Sequence, residues 1–209
     1  MNKSLILLII SVCLFSCDVK NESTNTNDSV EKENYYSNGN LKSKGLIDKK
    51  DQKIGSWKYF DNNGKLNRVV EYKIIENKSF INQDWKLNQK GDTLNNQSCY
   101  YQLTLEKDTI KLNEPIKVKI DLTAPCFRDR YSETYVILPK DYSINFNEDF
   151  SNLDEMDLDT IYNLNSDPEL KEKLGLTTNW GKTVIFGRYY NSIGPKKLRG
   201  ILVEFVSFP

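Results

Sequence analysis

A short motif that repeats early in the chain constrains the fold more than any other feature. Residues 35–43 (YYSNGNLKS) are echoed by residues 60–68 (FDNNGKLNR), and residues 57–66 have a weaker copy at residues 85–94. Each copy places aromatic or β-forming residues before a turn rich in Asn and Gly. Asn-Gly pairs readily adopt the positive φ angles of tight hairpin turns. Each copy therefore predicts a β-hairpin, and residues 35–94 are predicted to form a β-meander.

The repeated residues resemble the MORN-type repeat, in the variant found in antitoxin proteins of bacterial toxin–antitoxin systems. The residues that carry the resemblance are Tyr36, Asn38, Gly39, Leu41, Gly55, Trp57, Phe60, Asn63, Gly64 and Leu66. The resemblance implies a hairpin repeat and a contact with a protein or a membrane surface, with no defined reaction. Two good copies and a remnant are near the minimum for a stacked array. We therefore expect the repeats to lean on the domain that follows.

The N-terminus has the pattern of a secretory signal. Lys3 precedes an apolar run from Leu5 to Phe15, which is much shorter than the roughly 20 residues that span a bilayer. Residues 14–17 (LFSC) resemble the lipobox of bacterial lipoproteins. That resemblance implies a diacylglycerol thioether on Cys17, cleavage after Ser16 and acylation of the new N-terminus. Several acyl chains together anchor a protein stably. Residues 1–16 are thus predicted to be a signal peptide, and the alternative is an ordinary signal with an incidental cysteine.

Composition separates the rest of the chain into a tether and two folded parts. Residues 18–34 are polar and lack aromatic residues, so they cannot bury enough apolar surface to fold. We interpret residues 17–34 as the lipidated cysteine and a flexible tether. The hairpin repeats at 35–94 and a second domain at 95–209 follow. The 29 basic and 29 acidic residues balance, so no basic excess points to nucleic acid as a partner.

The second domain is predicted to be a β-sandwich. Apolar residues alternate in residues 101–105, 110–112 and 116–122, which indicates half-buried strands. Further strands are expected at residues 135–138, 183–190 and 198–206. Residues 108–118 resemble the opening strands of immunoglobulin-like domains of bacterial surface proteins. The predicted fold class is therefore mainly β, a β-hairpin meander followed by an immunoglobulin-like β-sandwich with one short helix.

That helix is expected to start at Asp167 and Pro168 and to end at Gly175. Asp is a favoured helix cap and Pro suits the first helical position. Leu170 and Leu174 lie on the same face of such a helix. Because the helix has only two turns, it must be held by packing.

The residues available for chemistry exclude several classes of site. The chain contains no histidine, which removes His-based triads and most common zinc sites. Beyond Cys17, the thiols left after cleavage are Cys99 and Cys126, and an exported protein meets conditions in which they can form a disulfide. Two buried free thiols are the alternative. No catalytic residue and no cofactor are predicted.

An acidic cluster between residues 148 and 159 is the sharpest candidate for a metal site. Asp154, Asp157 and Asp159 could offer oxygen ligands to calcium. The spacing does not match a calcium loop, and the stretch is more typical of a solvated acidic loop. We therefore expect no metal there.

Aromatic residues suggest the best binding surface. Tyr36, Trp57, Tyr59 and Trp85 belong to the repeats and could contact a protein or a glycan. Aromatic residues also fill strands for packing alone, so packing remains the alternative for most of them.

Three functions remain open. The leading hypothesis is a non-enzymatic lipoprotein of the cell envelope, lipid-anchored to a bacterial membrane and most consistent with the outer membrane, that binds a protein or a glycan. The second is an immunity or antitoxin-like protein that neutralises a toxin, and it rests on the repeat resemblance. The third is a hydrolase that uses carboxylates or Ser and Thr hydroxyls.

Overall fold

The structure is a computed structural model that describes residues 11–17, 29–166, 168–173 and 181–206. Among these residues the chain is mainly β, with antiparallel sheets, which confirms the predicted mainly-β class. The described strands are β1 (Ser11–Cys17), β2 (Val30–Tyr35), β3 (Leu41–Ile47), β4 (Lys53–Phe60), β5 (Leu66–Ile75), β6 (Lys78–Lys86), β7 (Tyr100–Leu105), β8 (Ile116–Ala124), β9 (Glu133–Pro139), β10 (Leu158–Tyr162), β11 (Thr183–Arg188) and β12 (Leu198–Phe205).

The described chain divides into two compact units. The meander unit contains residues 29–100 and Phe146–Glu155. The sandwich unit contains residues 11–17, Tyr101–Asn145 and the described residues from Met156 onward.

The meander unit is built on a five-stranded sheet in the order β2-β3-β4-β5-β6, in which each strand pairs with its neighbour in sequence. The predicted meander is therefore confirmed. The hairpin between β5 and β6 has a two-residue turn at Glu76 and Asn77, which both have positive φ. The other three hairpin loops share one geometry, in which the N–H of the first residue of a five-residue turn donates to the carbonyl of the fifth. The pairs are Tyr36–Asn40 at 2.8 Å, Asp48–Gln52 at 2.9 Å and Asp61–Lys65 at 2.8 Å. The fourth residue has positive φ, as at Gly39 (84°) and Gly64 (81°), which is why glycine recurs there.

Strand β2 begins within the residues predicted to form the tether. β2 starts at Val30 and pairs with β3 from Val30 to Tyr35, whereas the tether was expected to extend to Asn34. The charged side chains of β2 do not prevent pairing, because they face solvent while the backbone of β2 hydrogen-bonds to β3. Lys32, for example, donates to Asp51 at 2.6 Å. Residues 18–28 of the predicted tether lie outside the described residues.

The sandwich unit has a four-stranded sheet in the order β1-β12-β9-β10 and a three-stranded sheet in the order β11-β8-β7. Strand β8 shows why these residues form a sandwich, since its buried residues alternate with Lys117, Lys119 and Asp121. The two sheets share one apolar core, formed by Tyr101, Val118, Ile120, Leu122, Val136, Leu138, Val184, Phe186, Leu198 and Leu202.

The predicted short helix is confirmed, whereas the strand predicted at residues 110–112 is not formed. Ile110 and Leu112 lie in the loop between β7 and β8, so the strand expected there is wrong. A turn takes its place, in which the N–H of Glu114 donates to Lys111 and Asn113 has a φ of 59°. The short helix α1 covers Pro168–Lys173, while Asp167, Leu174 and Gly175 lie outside the described residues.

Among the described residues, no helix has the length and apolarity that a membrane crossing requires.

Candidate functional site

A half-open cavity of about 460 Å³, with a largely apolar lining, lies in the sandwich unit. Its volume lies in the usual range for ligand sites, about 300–1,000 Å³. Strand ends and two loops supply its apolar wall, which includes Leu105, Ile110, Leu112, Ile116, Val118, Ile193 and Leu198. Ile116, Val118 and Leu198 are buried, so the floor of the cavity is the edge of the hydrophobic core.

Two large apolar side chains on the cavity wall are exposed to solvent. Leu112 is 52% exposed and Ile193 is 89% exposed, and both belong to the loops that form the wall. Single exposed apolar residues are common, whereas a pair of them beside an apolar cavity is a candidate contact surface. The polar part of the wall includes Asp108, Lys111 and Lys196. An apolar ligand group with a polar surround would fit this arrangement.

Backbone hydrogen bonds tie the two loops of the cavity together. The N–H of Asn113 donates to the carbonyl of Tyr190 at 2.9 Å, which links the β7–β8 loop to the loop that follows β11. Within that second loop, Lys196 Nζ donates to Ser192 Oγ at 2.6 Å. The φ of Gly194 is 103°, which lets the loop turn back toward β12. These hydrogen bonds hold the two loops of the wall together without a ligand.

A second, polar cavity of about 430 Å³ lies elsewhere in the sandwich unit. It is lined by Lys140, Asp141, Tyr142, Ser143, Tyr189 and Asn191. Asp141 Oδ1 accepts hydrogen bonds from the backbone N–H of Ser143 at 2.8 Å and from its Oγ at 2.7 Å. These bonds lower the pKa of Asp141. Its carboxylate already serves a local turn, but Tyr189 keeps an exposed ring.

Buried Arg188 supports this polar cavity from below. Its guanidinium carbon lies 4.2 Å from the ring centroid of Tyr142, and its Nη1 donates to the carbonyl of Pro139 at 3.3 Å. Burial lowers the pKa of Arg188. Interactions with Tyr190, Tyr142 and Asp141 partly oppose this decrease. The stacked guanidinium thereby holds the Tyr142 ring in place.

The four aromatic residues predicted as a binding surface do not form one continuous exposed face. Trp57 is fully buried and its Nε1 donates to the carbonyl of Leu46 at 2.8 Å, so it contributes no surface. Tyr36 is half-buried and its hydroxyl donates to the carbonyl of Phe60 at 2.8 Å. Trp85 is half-buried against Tyr100, with ring centroids 5.9 Å apart.

Tyr59 belongs to a cluster around Lys53. The Lys53 ammonium lies 4.5 Å from the ring centroid of Trp57 and about as near to the rings of Tyr59 and Tyr72. It donates to Tyr59 Oη at 2.8 Å, and Tyr59 Oη lies 2.9 Å from Tyr72 Oη. Because the Lys53 ammonium already makes cation–π contacts with these rings, we interpret the cluster as one that stabilises the sheet.

A buried polar network in the sandwich unit was not found from the sequence. Glu204 is buried and accepts hydrogen bonds from the backbone N–H of Cys126 at 2.8 Å and from Ser132 Oγ. Lys182 Nζ donates to Ser132 Oγ and lies 3.5 Å from Glu204 Oε1. Burial lowers the pKa of Lys182, and Glu204 partly opposes that change.

A serine beside a lysine of lowered pKa can act as a nucleophile. Here Ser132 and Glu204 are each only 1% exposed, so a substrate cannot reach the hydroxyl. The network instead satisfies a carboxylate that the fold has buried. The only sequence hint was an acidic residue inside the apolar run of β12.

The structure places the remaining predicted residues as follows. Cys17 is the last residue of β1, opposite Leu198, and its lipidation stays a prediction. Cys99 and Cys126 are both disulfide-bonded.

The three acidic residues considered for calcium are all exposed, and Asp157 pairs with Lys140 at 3.4 Å. In the part of the chain that the structure describes, no group of three or more Cys, Asp or Glu side chains could hold a metal ion.

Comparison of the chain with protein-family models, with curated proteins and with solved structures gives no significant match.

Proposed function

We propose that this chain is a lipid-anchored lipoprotein of the bacterial cell envelope that binds a protein partner and performs no chemistry. The apolar cavity of the sandwich unit, with exposed Leu112 and Ile193 on its wall, carries the proposal. An apolar wall complements apolar side chains of a protein better than it complements a sugar, whose hydroxyls need polar partners.

The anchoring half of the proposal rests on the N-terminal sequence. Residues 14–17 resemble a lipobox, and a polar stretch follows Cys17. A lipid on Cys17 would hold the folded units near a membrane, which raises the local concentration of any partner in the same membrane.

The non-enzymatic half rests on the inaccessibility of the most reactive cluster. Ser132, Lys182 and Glu204 satisfy one another inside the sandwich unit. A hydrolase would need its nucleophile within reach of a substrate carbonyl.

The test is capture of the partner from intact membranes by crosslinking to a tagged, Cys17-anchored protein. Ile193→Glu places a charge on the cavity wall and should abolish the specific crosslink. Ile144→Glu is the matched control, because Ile144 is 48% exposed and does not line the cavity. The same crosslinked protein at wild-type yield with Ile193→Glu would refute the cavity as the binding site.

The polar cavity favours a glycan as a second candidate ligand. An exposed tyrosine ring beside carboxylate, amide and hydroxyl groups is typical of sugar contacts, and Tyr189, Asp141 and Asn191 offer these groups. Purified cell-wall fragments should then bind with an affinity that Tyr189→Ala lowers at least about tenfold, while Tyr162→Ala, at a similarly exposed tyrosine, leaves it unchanged. Equal binding by the two variants would exclude this candidate.

A further inference from the structure

Strand β1 occupies a position that the proposed processing would empty. It pairs antiparallel with β12 along its whole length, from Ser11 opposite Glu204 to Cys17 opposite Leu198. In the order β1-β12-β9-β10, β12 has β9 on its other side. Cleavage after Ser16 would remove all of β1 except Cys17.

The processed chain would therefore have β12 as a sheet edge. An edge strand presents a row of unpaired N–H and C=O groups that readily pair with another strand. Natural edges are usually protected by proline, lysine, bulges or short length. β12 is eight residues long, contains neither proline nor lysine, and is largely buried, and Arg199 is its one partly exposed charged residue. Its charged Glu204 is engaged in the network with Ser132 and the Cys126 N–H, so it does not protect the edge.

We propose that the β12 edge is a strand-acceptor site, which takes an extended apolar segment of the protein partner as an added antiparallel strand. This inference rests on the proposed function, because the edge is vacated only if the signal is removed. The segment that pairs with β12 in the structure, β1, indicates which kind of strand the site accepts. That segment, SVCLFSC, is apolar, extended and antiparallel to β12 over seven residues. Main-chain hydrogen bonds would supply affinity, and side-chain pockets would supply specificity.

The strand-acceptor site and the apolar cavity meet at one residue. Leu198 is the register partner of Cys17 and also lines the cavity. An added strand in the same register would therefore end beside the cavity. In this proposal, the next apolar side chain of the partner lies at the part of the cavity that Leu198 lines. The two features together define a partner with an extended apolar segment that ends in an anchoring side chain.

Other occupants are less well matched to the edge. Residues 18–28, which follow Cys17, contain a single apolar residue, Val19, so they do not match the apolar composition of the segment that β12 holds. A second copy of the chain could add its own β12 across a two-fold axis. That outcome is distinguished by the mass of the assembly.

The experiment uses the mature lipoprotein extracted from membranes in detergent. Intact mass first reports whether residues 1–16 are absent and a lipid is present, which tests the proposed function separately. Hydrogen exchange is then followed at the amides of β12, with and without a synthetic peptide of residues 11–16 that carries Cys13→Ser. The amides of β2 are the internal control, since β2 is the charged edge of the meander sheet.

We expect saturable binding of the peptide that slows exchange in β12 at least about tenfold and leaves β2 unchanged. The same peptide with Leu14→Pro cannot complete the ladder opposite Ile201 and should bind at least about tenfold more weakly. Processed protein whose β12 is unaffected by the peptide would overturn the inference while leaving the proposed function intact. Equal affinity of the two peptides would show apolar adhesion without strand addition and would also overturn it.

Protection of β12 before any peptide is added also counts against the inference. In a dimer of the processed protein it would assign the edge to a second copy, and in a monomer it would show that the chain covers its own edge. A mass that retains residues 1–16 would refute the proposed function and the vacated edge together.

Discussion

At the scale of single residues, the meander depends on the close approach of Gly45 to Trp57. A Cβ built on Gly45 would lie 2.5 Å from Cγ of the Trp57 ring, and that ring is fully buried. The glycine in β3 therefore makes room for the indole of β4.

Gly45→Ala is expected to destabilise the protein by about 1–3 kcal/mol, because a buried ring must shift to accommodate the methyl group. Urea unfolding followed by tryptophan fluorescence measures the change. Gly187→Ala is the matched control, since Gly187 also lies in a strand and a Cβ there would meet nothing within 4 Å. Equal costs for the two variants would contradict the steric explanation.

The fold strongly affects the titration of Tyr72. Burial and the hydrogen bond with Tyr59 raise the pKa of Tyr72 to about 12. Since the folded pKa exceeds the unfolded value of 10.0, the stabilisation is complete below pH 10 and is lost as the pH rises through about 12.

Tyr72→Phe should lower the free energy of unfolding by about 1 kcal/mol at pH 8, and this difference should shrink above pH 10. Chemical denaturation across that pH range measures it. The absorbance titration of the tyrosinates should also lose amplitude at its alkaline end. Tyr162→Phe, at an exposed tyrosine, should leave the free energy of unfolding unchanged, and a pH-independent difference for Tyr72→Phe would disprove the assignment.

At the scale of elements, one five-residue turn recurs in three of the four hairpin loops of the meander sheet. Its fourth position has positive φ at Gly39 and Gly64, and also at Asp51, where φ is 60°. Asp51 shows that a side chain can occupy this position, at the cost of a conformation that L-residues disfavour.

Gly64→Ala should therefore fold, with a loss of about 1–2 kcal/mol in the free energy of unfolding. The measurement is thermal or urea unfolding followed by circular dichroism. Asn63→Ala removes a neighbouring exposed side chain without demanding positive φ and should change stability by less than about 0.5 kcal/mol. A larger loss for Asn63→Ala than for Gly64→Ala would show that side-chain bonding, and not backbone conformation, governs the turn.

At the scale of the whole molecule, processing and oxidation should leave no free thiol. Cys13 is lost with the signal, Cys17 is predicted to carry lipid, and Cys99 and Cys126 are disulfide-bonded. Maleimide labelling of the denatured mature protein should therefore modify no cysteine before reduction and both Cys99 and Cys126 after it. Labelling of either residue before reduction would contradict the disulfide, and labelling of Cys17 would contradict the lipid thioether.

The local elements of this protein were predictable because their causes are local. Asn-Gly pairs and alternating apolar residues depend on neighbours in sequence, so the meander and strands such as β8 could be inferred from the chain alone. The start of β2 could not, because its charged residues form a strand only when β3 offers a hydrogen-bonding edge. Ile110 and Leu112 have the spacing of a strand, yet the turn at Asn113 places them on the cavity wall.

The amino-acid sequence by itself determined the mainly-β class, the hairpin turns and the absence of histidine chemistry, since these follow from residue type and spacing. Only the tertiary structure decided which residues can meet a ligand. It buried Trp57, joined Glu204 to Ser132 and Lys182 across the fold, and assembled the apolar cavity from two distant loops. Those outcomes depend on contacts between residues far apart in the chain, and no local pattern encodes them.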